Sequence, residues 1–104
     1  MNSTILNVMI LNDVVIVHSL SLDDDSTQFN IEDSDETILK VSSTGQVFNQ
    51  ASKQVGSFSL DNRDLWFFRF SDSEEIISTP NKDLIKAETR ILKELIDRKI
   101  IKLD

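Results

Sequence analysis

Cysteine is absent from this sequence, which removes the thiolate nucleophile, the disulfide framework and the sulfur ligands of zinc and iron–sulfur sites together. Histidine occurs once, as His18. Any triad or imidazole metal site would have to be built around that single ring, and neither a Cys nor a Gly-flanked Ser accompanies it. His18 falls in register with Ile16 and Leu20 on the apolar side of a strand, so it reads as a hydrogen-bonded histidine at the edge of the core rather than a catalytic base. Glycine occurs twice, at Gly45 and Gly56, too sparsely for a phosphate-cradling loop. No apolar run approaches a membrane span, and Met1-Asn2-Ser3-Thr4 lacks the basic start of a secretory signal. The expectation is a cytoplasmic chain with no membrane partner, no cofactor and no metal.

Positive charge is the most uneven scarcity. The first Lys is Lys40, and Asp13, Asp23, Asp24, Asp25, Glu32, Asp33, Asp35 and Glu36 precede it without a single Lys or Arg among them. From residue 80 onward the balance reverses, with Lys82, Lys86, Arg90, Lys93, Arg98, Lys99 and Lys102 outnumbering the acids. The net charge of −7 is therefore concentrated in the front of the chain, an asymmetry that bears on association rather than on fold.

What is present is enough for a core. The chain has 104 residues, 39% of them apolar, including six Phe and one Trp. That is the size of one compact domain, 1–104, and too apolar for a disordered acidic tail. Val14, Ile16, His18, Leu20 and Leu22 alternate with Val15, Val17, Ser19 and Ser21 in a period-two ribbon. The preceding TILNVMIL is a second β-branched run, and Asn12-Asp13 between them tolerates the positive φ of a tight hairpin. Gln28–Ile31, Thr37–Val41, Val47-Phe48, Val55–Phe58 and LWFFRF at 65–70 follow at meander spacing. Then the period changes. Thr79-Pro80 has the form of an N-cap and first-turn proline, and Leu84, Ile85, Ile91, Leu92, Leu95 and Ile96 recur at helical spacing. These signals predict an α+β fold: a meander or curled antiparallel sheet of about six or seven strands over residues 1–70, then an amphipathic helix over 80–97 lying across one sheet face or plugging one end. Residues 99–103 fit either a continued helix or a closing strand. Pleckstrin-homology-like barrels share this order of elements, and no motif of theirs is present.

The carboxylates invite two chemical readings, and both lack a requirement. Calcium takes six to eight oxygens, but neither acidic stretch has the D-x-[DN]-x-[DN]-G loop or any glycine for its sharp turn. Paired acids in glycosidases need one carboxyl desolvated in a cleft, whereas these sit among Ser and Asn on polar turns. LWFFRF puts Trp66, Phe68 and Phe70 on one face and Leu65, Phe67 and Arg69 on the other. A nucleic-acid stacking platform needs a positive groove beside it, and only Arg63 and Arg69 are near. It reads as a core strand buried on both sides, between sheet and helix or sheet and partner.

Seven like charges within residues 23–36 repel one another, and a partner bearing Lys and Arg would offset that repulsion. The sequence therefore leads to Asp23, Asp24, Asp25, Glu32, Asp33, Asp35 and Glu36 as a partner-binding set on a non-enzymatic protein. The expected partner is a basic protein, either nucleic-acid-binding or a toxin, with no direct contact to nucleic acid. Phage-encoded anti-CRISPR or anti-restriction inhibitors and toxin-immunity proteins include small acidic domains of this type. A second expectation is an assembly or adaptor subunit that homodimerises or docks through the helix and the Ile100-Ile101-Leu103 tail; a small enzyme is the third, with the fewest residues to support it.

Overall fold

The computed structural model describes residues 2–103. Strands β1 (Ser3–Leu11), β2 (Val14–Ser21), β3 (Thr27–Ile31), β4 (Glu36–Val41), β5 (Gln46–Phe48), β6 (Gln54–Leu60), β7 (Trp66–Phe70) and β8 (Ile76–Ser78) are followed by helix α1 (Leu84–Asp97). The strands pair antiparallel in strict chain order, so every strand lies beside its sequence neighbours. The sheet stays open, with β1 paired to β2 at one edge and β8 to β7 at the other. The fold is α+β as expected, with eight strands where six or seven were predicted, the sheet running on past residue 70 to β8.

Local chemistry explains the turns. Asn12 and Asp13 both take positive φ, 50° and 64°, the paired left-handed conformation that lets a two-residue hairpin follow the strand twist. Between Phe29 and Asn30 the β3–β4 register shifts. Ile38 is left without a direct partner there, which directs Ile38 and Leu39 both into the core, each fully buried.

Helix α1 lies against the inner face. Ile16, Phe29, Leu39, Val47, Phe58 and Phe68 from the sheet meet Ala87, Ile91, Leu92 and Leu95 from α1 in one buried cluster. Burying each large side chain contributes roughly 1.5–3 kcal/mol. In a flat sheet β2 and β7 would stand about 24 Å apart, wider than a helix. Yet α1 touches both, through Glu88 to His18 on β2 and by packing on β7. The sheet therefore curls around the helix.

Two boundaries and one face differ from the sequence reading. The helix begins at Leu84, capped by Asp83, whose carboxylate accepts from the Ile85 amide at 3.0 Å. Thr79 is instead buried and donates its hydroxyl to the Trp66 carbonyl at 2.7 Å. Together with the Trp66 amide bonded to the Asn81 carbonyl and the indole N–H bonded to the Lys82 carbonyl, this pins residues 79–82 to Trp66 at the start of β7, so the helix starts later. Residues 99–103 form neither helix nor strand. Strand β7 buries one face only: Phe68 is fully buried, while on the other side Arg69 is exposed and its guanidinium stands 5.8 Å from the Phe67 ring centre.

Candidate functional site

In a meander, successive turns alternate between the two ends of the sheet. The turn at 22–26 carries Asp23, Asp24 and Asp25; the turn at 32–35, with Glu36 just after it, lies at the opposite end, beside the Asn12-Asp13 hairpin. The five residues of β3 separate them, a span of about 17 Å. The expected partner-binding set is thus divided between two ends of the sheet. All seven carboxylates are exposed.

Some of these acids have local structural duties. Asp24 accepts from the Ser26 amide at 3.0 Å and from the Ser26 hydroxyl at 2.6 Å, bonds that hold its carboxyl below the usual aspartate range, with a smaller contribution from Lys40 at 3.9 Å. Asp25 and Asp35 take positive φ, 57° and 56°, a conformation that Asp tolerates better than most residues. Glu36 accepts from the Gln50 amide group at 3.0 Å. Asp23, Glu32 and Asp33 are different: among the described residues their side chains make no hydrogen bond and no ion pair. Turn formation does not require a carboxylate at those three positions.

The outer face of the sheet, away from α1, divides in two. Around β3–β5 it is a shallow polar hollow lined by Ser26, Gln28, Thr37, Lys40, Ser42 and Phe48. Over β1 it is apolar. Ile5, Val8 and Ile10 are 64%, 50% and 70% exposed, and they stand opposite Ser19, Val17 and Val15 of β2. The sequence reading did not single out this strip. Its signal is the absence of any charge in STILNVMIL.

A second feature is inside, where the sequence reads the histidine as a hydrogen-bonded core residue but does not name its partner. His18 is fully buried, its ring stacked on Phe29 at 3.9 Å, with Nε2 2.8 Å from Glu88 Oε1. The same oxygen accepts from the Thr27 hydroxyl at 2.7 Å. His18 Nδ1 is buried and has no hydrogen-bond partner among the described residues. The trio is sealed from solvent, so it joins helix to sheet and offers no atom to a substrate. Glu88 occupies the stripe of Leu84, Ile91 and Leu95, a carboxylate at an apolar helical position, and that is the clue in the sequence.

The apolar tail is mostly committed to the fold. Ile101 is 4% exposed and Leu103 packs on the core, while Ile100 remains 46% exposed. No group of three or more acidic or histidine side chains among the described residues is placed to hold a metal ion, and no helix among them is long and apolar enough to cross a membrane. Comparison of the chain with family models, curated proteins and solved structures finds no match.

Proposed function

We propose that this is a non-enzymatic binding protein that covers a basic surface of a partner protein, of the kind that binds nucleic acid or acts as a toxin, in the manner of phage anti-defence inhibitors and toxin-immunity proteins. The observation that carries the reading is the trio Asp23, Glu32 and Asp33: exposed carboxylates at both ends of the sheet, with no bond that the turns need. Within each end, where Asp23 adjoins Asp24 and Asp25 and Glu32 and Asp33 adjoin Asp35 and Glu36, crowding of like charges costs stability, and complementary charge on a partner recovers it while speeding encounter. The same charge repels phosphate backbones, which makes a protein the partner rather than DNA or RNA.

The test is retention of a partner from a lysate of the source organism on the immobilised full chain. Asp23→Lys/Glu32→Lys/Asp33→Lys releases a specifically retained basic protein, and raised salt elutes it from wild type. Reversal of Lys86, Arg90 and Lys93 to Glu retains it. A partner held equally by wild type and the acidic-turn variant overturns the reading.

A further inference from the structure

We propose that the free edge and outer face of β1 take up one additional antiparallel strand from a partner protein, a segment apolar over its middle with Lys or Arg at both ends. This rests on the acidic-surface reading above and gives it a location and a partner chemistry.

The two edges of the sheet are not alike. At one, β8 is three residues long; short edge strands are a common protection against unwanted pairing. At the other, β1 is nine residues long, carries no charge and no proline, and among the described residues pairs only with β2. Its one irregularity is a register shift between Ile5 and Asn7, after which Val8 to Leu11 run regularly. An incoming strand would bond to the outward backbone of β1 and lay alternate side chains beside Ile5, Val8 and Ile10, the geometry of strand addition.

Charge decides the occupant. Asp13 lies two residues beyond the end of β1, with Glu32 and Asp33 on the neighbouring turn of the same end of the sheet. At its start, the Asn2 carbonyl accepts from the Leu22 amide at 2.7 Å, which sets β1 against the turn of Asp23. The apolar strip is thus bracketed at both ends by acids that outnumber the nearby bases, Lys40 beside Asp24 at one end and Lys99 and Lys102 around the hollow at Asn12 at the other. A second copy paired antiparallel through β1 would bring the Asp13 end of each chain to the Asp23 end of the other, acid against acid twice, between chains of charge −7. A strand with basic ends meets attraction at both.

The test uses the ¹⁵N-labelled full chain and a synthetic 13-residue peptide, nine residues of alternating Val and Thr with two Lys at each end. The lysine peptide shifts the amide resonances of residues 3–11 and slows their hydrogen exchange. A peptide with Glu in place of every Lys binds at least about tenfold more weakly. Ile5→Lys/Ile10→Lys abolishes binding, with thermal unfolding unchanged because both side chains are exposed. The inference is overturned if the lysine peptide does not bind, if both peptides bind equally, if the shifts map elsewhere, or if sedimentation shows a dimer that Ile10→Lys dissociates. Should reversal of Asp23, Glu32 and Asp33 release the cellular partner while Ile5→Lys/Ile10→Lys retains it, the acidic-surface reading stands and the strand inference alone falls.

Discussion

His18 and Glu88, seventy residues apart in the chain, meet at 2.8 Å in the interior, with no solvent reaching the imidazole. This bond and the Thr27 hydroxyl bond to the same carboxylate oxygen fix where α1 seats on β2 and β3. Apolar packing alone would leave the helix free to slide by a turn, whereas a buried polar pair has a single satisfied register.

Removing one partner is expected to cost more than removing both. Glu88→Ala leaves the His18 N–H and the Thr27 hydroxyl buried without an acceptor and should destabilise by roughly 3 kcal/mol. Replacing both with His18→Leu/Glu88→Leu should recover much of that loss. Urea unfolding of His18→Leu, Glu88→Leu and the double variant measures the cycle; strictly additive losses would mean that the pair is not coupled.

Gly56 is expected to tolerate no side chain. A Cβ there would stand 2.2 Å from Phe68 Cζ and 2.5 Å from the Arg69 carbonyl oxygen, and the buried Phe68 ring has nowhere to retreat. Gly56→Ala should lower stability by about 1–3 kcal/mol, read as a fall in melting temperature with the Phe68 ring resonances displaced.

Acid should weaken the turns held by Asp24 and Asp61. The Asp24 carboxyl is lowered by its Ser26 bonds and the Asp61 carboxyl by the Leu65 and Arg63 amides. A group whose folded value lies below its unfolded one contributes stability above the unfolded value, near 3.8, and that contribution disappears as pH falls through the folded value. Melting temperature should therefore decline below about pH 4, with a smaller decline in Asp24→Asn and Asp61→Asn.

The tail separates folding from binding. Ile101→Asp places a carboxylate where the side chain is 4% exposed and should destabilise by about 3 kcal/mol or more, so loss of a partner in that variant reports misfolding. Ile100→Asp changes a position that is 46% exposed and should unfold as wild type does. If Ile100→Asp dissociates an oligomer or releases a partner, the helix-and-tail assembly reading gains and the acidic-surface reading loses.

Much of this architecture could be read from residue pattern. The Asn12-Asp13 hairpin, the meander and the amphipathic stripe from Leu84 to Ile96 are local signals, and each is where local chemistry puts it. The start of the helix differs from the sequence pattern because Thr79-Pro80 satisfies the capping motif, while bonds to Trp66, a residue of β7, commit that segment to the sheet. Strand β8 is only Ile76 to Ser78, too short for alternation to register. The acidic turns were legible as charge but not as place, because which end of a sheet a turn occupies depends on how many strands precede it. Asp24, Asp25 and Asp35 also show that a carboxylate in a turn can answer to backbone geometry as much as to a partner.

A sheet whose neighbours in space are all neighbours in sequence can assemble as it is made, each hairpin closing on the last without waiting for distant chain. The helix that covers its inner face comes after all eight strands. On the ribosome, the concave side holding Phe29, Leu39, Val47 and Phe68 is therefore complete before its cover has left the exit tunnel, and the nascent chain carries an open apolar trough until Glu88 arrives to meet His18.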